Sequence, residues 1–284
     1  MTFGINTFLF ASPFTDRSTR LFPQFKQWGF DGVEIALENP ANINPAFVRT
    51  QLDRHGLICT SICGCFSSSR DLRGSQAQQQ ASIKYVKQLV DSADILGTKI
   101  IMGPLYSAVG RADAVPRAEY QRQWRTVRAH LKTICKYAEA RGKIICLEPL
   151  NRFETDFINT VEQGLQMIAE VNSPALKLAP DTFHMNIEEK NPAAAIRRAG
   201  RHVGHFHASG SDRGTPGNDH LDWRGLAQAL RAIRYQGAVV IESFTTDVKV
   251  IARAAAIWRQ IEPNRDDIAR RGVKFLKKNF NQST

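Results

Sequence analysis

No apolar run in this chain approaches the roughly 20 residues that a membrane-spanning helix needs, so a helical membrane protein is excluded. The first residues, Met1-Thr2-Phe3-Gly4-Ile5-Asn6, enter a strand-like run with no basic segment or signal-peptide core, and a cytoplasmic location is expected. Cysteine is scarce and odd in number: Cys59, Cys63, Cys65, Cys135 and Cys146, mostly inside apolar runs. Buried free thiols are therefore expected in place of disulfides, as in a reducing compartment. Cys63-Gly64-Cys65 lacks the two-residue spacer and the second pair of a thiolate metal site. Gly-rich dinucleotide and phosphate-loop motifs are missing too. So is any linker, low-complexity tract or charge block, and one domain over residues 1–284 is expected. Acidic residues are the minority, 27 against 38 Lys and Arg, which leaves a net charge of +11. The excess is spread over amphipathic stretches, as at Arg122, Arg125, Arg128, Lys132 and Lys136, or lies near the C-terminus at Arg270, Arg271, Lys274, Lys277 and Lys278. These read as solvated helix faces, and no nucleic-acid partner is expected.

What the chain does have is an alternation. Short apolar runs at 3–10, 32–37, 57–63, 99–103, 143–150, 176–181, 203–208 and 238–243 are bounded by Gly, Pro or polar residues, as buried parallel strands are. Between them lie helical patterns near 17–28, 44–55, 78–97, 117–142, 160–171, 192–200, 223–235 and 247–261. Asn159-Thr160 and Asp222-Trp223 carry helix-start signals. Gly29, Gly56, Gly142 and Gly237 stand between helix and strand, where a C-terminal cap belongs. Eight strands and eight helices in strict alternation predict a single α/β domain, a (β/α)8 TIM barrel. An extra C-terminal helix is expected over 264–280, packed on the barrel or on a second subunit.

Four of the runs end in a side chain that can ligate a metal. Glu148 closes the fifth run, Asp181 the sixth, His207 the seventh and Glu242 the eighth. In a barrel these ends lie on the face where active sites form. Three carboxylates and an imidazole suit Mn²⁺, Mg²⁺ or Co²⁺ more than a thiol-seeking metal. Glu154, His184 and Arg213 crowd the same rim. Arg213 is either a fixed cation for an oxygen-rich ligand or a solvated loop residue. His184 is either a site residue or a core histidine bonded to a carbonyl. His205 alternates with His207 and is read as structural, pointing away from the barrel mouth or lying behind it. Glu148 and Glu242 are expected on opposite sides of whatever the metal binds. A metal there can polarise a ketone and stabilise an enediolate, while one carboxylate takes the proton beside the carbonyl and the other returns one from the opposite face. Such a pair inverts a carbon without a redox cofactor.

The stretches Leu147-Glu148-Pro149-Leu150-Asn151-Arg152-Phe153-Glu154 and Asp181-Thr182-Phe183-His184-Met185-Asn186-Ile187-Glu188-Glu189 are distinctive. So are His205-Phe206-His207, with Asp212-Arg213-Gly214-Thr215-Pro216-Gly217 downstream, and Ile241-Glu242-Ser243-Phe244. Together they resemble the ketose 3-epimerases, a family that includes D-tagatose, D-allulose (D-psicose) and L-ribulose 3-epimerases within the xylose-isomerase-like barrels. The resemblance is specific over residues 143–245 and looser elsewhere. It implies a catalytic barrel acting on free ketohexoses or ketopentoses through an enediolate. It also implies Mn²⁺ held by Glu148, Asp181, His207 and Glu242, with Glu148 and Glu242 exchanging protons at C3. By the same resemblance His184 and Arg213 hold the C1–C2 oxygens, Glu154 supports the site and Phe244 walls the sugar. A small-molecule ketose is the implied partner, and a homodimer or homotetramer the expected assembly. The chain departs from the family pattern at Ser61-Ile62-Cys63-Gly64-Cys65-Phe66 and at Ala11-Ser12-Pro13-Phe14, segments expected to meet C4 to C6.

Two rival readings fit less well. A hydroxypyruvate isomerase or a hydride-shift xylose isomerase is one; two-metal xylose isomerases resemble Glu-Pro-Lys-Pro where this chain has Glu148-Pro149-Leu150-Asn151. An endonuclease IV-like nuclease is the other. It needs His ligands at the ends of strands two to four, and here those ends read Glu38-Asn39-Pro40, Cys63-Gly64-Cys65 and Gly103-Pro104-Leu105.

Overall fold

The computed structural model describes residues 1–280. Eight strands form one sheet: β1 (Thr2–Asn6), β2 (Gly32–Ala36), β3 (Ile58–Cys63), β4 (Ile100–Gly103), β5 (Ile144–Leu147), β6 (Leu176–Leu178), β7 (Phe206–His207) and β8 (Ala238–Ile241). All pairings are parallel, in the order β6-β5-β4-β3-β2-β1-β8-β7. Bridges from Leu178 to Val203 and from Asp181 to His207 join the two outer strands. The strands are mostly apolar because one face fills the barrel and the other packs on helices, with Asn6, Glu34, Ser61 and His207 as buried polar exceptions.

The helices are α1 (Phe22–Trp28), α2 (Pro45–Arg54), α3 (Gln76–Leu96), α4 (Arg117–Glu139), α5 (Val161–Val171), α6 (Thr182–Glu188), α7 (Pro192–Ala199), α8 (Trp223–Ala232), α9 (Lys249–Ala254) and α10 (Arg265–Phe280). Helix α10 is the expected extra helix. It buries Ile268, Ala269, Val273, Leu276 and Phe280, sets the Phe280 ring against Trp223 of α8, and joins Lys277 to Asp31 at 3.0 Å. It therefore packs on the barrel. The basic residues expected on solvated faces are mostly exposed, while Arg128 pairs with Glu170 and Lys277 with Asp31. No helix among the described residues is long and apolar enough to cross a membrane.

Several boundaries differ from the sequence reading, each for a local reason. The first run ends at Asn6 because the Asn6 side chain accepts from the Phe8 N–H at 2.8 Å and starts a 3-10 turn over Thr7–Leu9. The fifth and sixth runs stop at Leu147 and Leu178, just before Glu148-Pro149 and Ala179-Pro180. Proline has no N–H for the ladder, so the backbone leaves the sheet there. Helix α6 was not expected at all, and the pattern at 247–261 yields only the short α9. Gly29, Gly56 and Gly142 take the left-handed backbone of a C-terminal cap. Gly237 does not; after α8 the left-handed residue is Arg234.

Gly103 is the most constrained position in the sheet. Its φ is +132°, and a Cβ would run into the carbonyl oxygen of Gly64. Gly103→Ala is expected to cost about 1–3 kcal/mol from the backbone alone, read as a lower urea midpoint. A midpoint indistinguishable from the parent protein would show that the β3–β4 contact yields freely.

Candidate active site

The ends of β5 to β8 place four ligating side chains together. Glu148 follows β5, His207 ends β7 and Glu242 follows β8. Asp181, three residues past β6, is the N-cap of α6, its Oδ1 accepting from the Phe183 N–H at 2.7 Å. All four side chains are buried. His207 Nδ1 lies 3.1 Å from Glu148 Oε1, 3.3 Å from Glu242 Oε2 and 3.9 Å from Asp181 Oδ2. One ligand atom from each of the four lies within 4.8 Å of the others.

The other ring nitrogen shows a residue that the sequence reading missed. His207 Nε2 is 2.7 Å from Oε1 of Glu34, a fully buried carboxylate on β2. Glu34 also accepts from Asn6 Nδ2 at 2.7 Å and from Ser61 Oγ at 2.6 Å, and its Oε2 is 2.8 Å from His205 Nε2. The only sequence signal was a lone acid inside the apolar run Gly32-Val33-Glu34-Ile35-Ala36. His205 does not point away from the mouth. Residues two apart on a strand share a face, and both rings meet Glu34 in the barrel interior.

This geometry fits a bound divalent cation. A carboxylate is an acceptor only, so His207 meets Glu34 as a donor at Nε2. Its Nδ1 then faces three carboxylate oxygens. A proton on Nδ1 satisfies them, and so does a cation among them. The electrostatics agree. Burial lowers the His207 pKa, but Glu34 and Glu242 outweigh it and hold the imidazole well above its ordinary range. Burial and the charge of Glu242 push Glu148 up. Burial also acts against ionised Glu242, yet His207 and Arg213 hold it below the usual carboxylate range. Asp181 is raised by burial, against the pull of Arg213.

Of the two readings open for Arg213, the solvated loop residue is the one the structure does not bear out. Arg213 is buried, with a left-handed backbone at φ 66°. Its Nη1 donates to Asp181 Oδ2 at 2.5 Å, Glu242 Oε2 at 2.9 Å and Ser209 Oγ at 3.0 Å. The guanidinium lies between the rings of Phe183 and Phe244, 4.3 and 4.7 Å from their centroids. His184 is buried too, on α6, with Nε2 3.0 Å from Arg213 Nη2. Its Nδ1 accepts from the Asn151 N–H at 3.1 Å, so its partner is a backbone amide and not a carbonyl. Burial and the Arg213 charge push the His184 pKa well down. Half-buried Glu154 accepts from Asn151 Nδ2 at 2.8 Å. Phe244 is buried and donates its N–H to the Arg213 carbonyl. The eight sequence-predicted residues are thus brought together, Glu154 and Phe244 at the edge through Asn151 and Arg213.

Comparison with known proteins follows the same lines. Residues 22–279 match the model of a family described as the xylose isomerase-like TIM barrel. Over 98% of this chain and 96% of the relative, the sequence is 34% identical to the "Probable ketose 3-epimerase" of Synechocystis sp.. The chain belongs to the ketose 3-epimerase family of xylose isomerase-like TIM barrels. A D-psicose 3-epimerase of Enterocloster bolteae is 32% identical over 83% of this chain and 80% of its own. The solved D-allulose 3-epimerase of Methylomonas sp., in complex with D-allulose, superposes with a TM-score of 0.92 at 27% identity, covering 98% of this chain and 97% of the other. The chain is accordingly an isomerase, an epimerase of carbohydrates.

In this epimerase the five cysteines are free and four are buried. Cys63 Sγ comes close to Glu34 and Glu242. Burial and the neighbouring carboxylates push that thiol well up, and burial pushes Cys65 to about 12.

Proposed function

We propose that this enzyme is a divalent-metal-dependent epimerase of free ketoses, ketohexoses or ketopentoses, that inverts C3. The observation that carries the reading is the convergence of Glu148, Asp181 and Glu242 oxygens on His207 Nδ1, all four side chains being buried. These four residues would hold the cation, and their oxygen-rich set favours Mn²⁺, with Mg²⁺ or Co²⁺ as substitutes. When bound, the cation would polarise the ketose carbonyl and make the neighbouring C–H more acidic. Glu148 and Glu242 come from strands three apart around the barrel. One takes the C3 proton and the other returns a proton to the opposite face. Arg213 and His184 hold the oxygens at C1 and C2, Glu154 steadies Asn151 beneath His184, and Phe244 supplies an apolar wall. Names of relatives support the choice of a ketose; D-psicose, D-allulose and L-ribulose appear among them.

The test is direct. Mn²⁺-loaded protein is incubated with D-fructose, D-tagatose, D-allulose and L-ribulose, and products are separated by chromatography. The C3 epimer of at least one sugar is expected. An aldose as main product, or no conversion of any of the four, overturns the reading. Asp181→Asn removes one charged ligand and one cap acceptor's charge. It should weaken Mn²⁺ binding strongly by calorimetry, whereas full metal content in that variant would place the metal elsewhere.

A further inference from the structure

The mechanism above leaves one buried carboxylate unused. Glu34 lies across the barrel interior from β7 and is fully buried. Both of its oxygens are saturated. Oε1 receives Asn6 Nδ2 and His207 Nε2, each at 2.7 Å. Oε2 receives Ser61 Oγ at 2.6 Å and His205 Nε2 at 2.8 Å. Four donors on two oxygens fix the carboxylate in place. Asn6 also donates to Glu242 Oε1 at 3.1 Å, which ties the same amide to the end of the neighbouring strand β8. The β2–β3 register shifts between Val33 and Glu34, and Glu34 stands beside Ser61. The extra residue in that step is Thr60 on β3, so the bulge brings Ser61 level with Glu34.

We propose, on the reading of His207 as a metal ligand, that Glu34 is its positioning residue: it keeps the ring hydrogen on Nε2 and turns bare Nδ1 to the cation, while His205, Asn6 and Ser61 hold Glu34 itself. A carboxylate on the far nitrogen of a metal-binding imidazole fixes both ring orientation and tautomer. Here the carboxylate comes from β2, so the barrel wall opposite the ligand strands sets the coordination geometry.

Mn²⁺ titrated by calorimetry into metal-free parent protein, Glu34→Gln and Asp181→Asn tests this. Glu34→Gln keeps the shape and loses the charge, and should raise the Kd for Mn²⁺ about 10–100-fold. Excess Mn²⁺ should then recover much of its turnover. A purely structural role would lower the urea midpoint and leave the Kd unchanged. In the parent protein loaded with diamagnetic Mg²⁺, a long-range ¹H–¹⁵N spectrum should show the His207 ring hydrogen on Nε2. An unchanged Kd in Glu34→Gln, alongside lost binding in Asp181→Asn, overturns the Glu34 proposal alone. Undiminished binding in Asp181→Asn overturns the metal site, and the Glu34 proposal with it. If Glu34→Gln does not fold, the parent spectrum decides: a hydrogen on Nδ1 overturns the proposal.

Discussion

Glu242→Gln, loaded with metal, is expected to lower kcat by about 10²–10⁴-fold, the usual contribution of a positioned acid or base. The side chain keeps its size and one oxygen. It loses the ability to take or give a proton. Asn6 and Arg213 each donate to one Glu242 oxygen, so the amide can keep one of these bonds and sets its NH2 against the other donor. Metal content has to be measured in the same sample, since Glu242 is also a proposed ligand. A companion measurement uses the unaltered enzyme. Run in heavy water, the C3-epimerised product should carry deuterium at C3 and have one inverted centre. Carboxylates exchange with solvent between turnovers, whereas a hydride shift would keep the substrate hydrogen. A metal-loaded Glu242→Gln with near-normal turnover, or a product free of deuterium, would contradict the two-carboxylate mechanism.

Arg213→Ala should unfold more easily as well as lose activity. Its guanidinium is the buried cation shared by Asp181 and Glu242, and removing one member of such a pair costs about 3–5 kcal/mol. The loop's own sequence, Ser209-Gly210-Ser211-Asp212-Arg213-Gly214, suggests a solvated turn and a cost near zero. Burial reverses that expectation. The loss should be largest in EDTA and smaller with Mn²⁺, because a ligand that binds only the folded state adds stability and would itself neutralise the two carboxylates. Urea unfolding in the two conditions measures this. Equal midpoints for variant and parent in EDTA would show that water, not Arg213, satisfies Asp181 and Glu242.

The barrel could be read from the chain because its strands are short apolar runs and its helices amphipathic, with punctuation by Gly and Pro. The four candidate ligands could be read because they stand where those runs meet Pro149, Pro180 or polar loops. Helix α6 escaped notice because its seven residues follow an acid, Asp181, that looked purely functional, and carry His184 in their first turn. The proline before Asp181 and the cap made by its own side chain start the helix at once. Glu34 escaped because its partners, Asn6, Ser61, His205 and His207, lie on other strands. Only the closed ring brings them together. The burial of Arg213 has the same origin: two aromatic rings from separate loops cover it.

The seam between β6 and β7 is the thinnest part of the ring's hydrogen bonding. It rests on the Gly204 and His205 amides at the Leu178 carbonyl, and on the His207 amide at the Pro180 carbonyl, 3.0 Å away. The last of these sits in the bridge between Asp181 and His207. Two proposed metal ligands are thus joined through their main chains at the point where the cylinder is most easily opened. A cation clasped between their side chains would act as a rivet across that join. Opening of that seam and release of such a cation would then be coupled, with the amide of His207 as the reporter in hydrogen exchange.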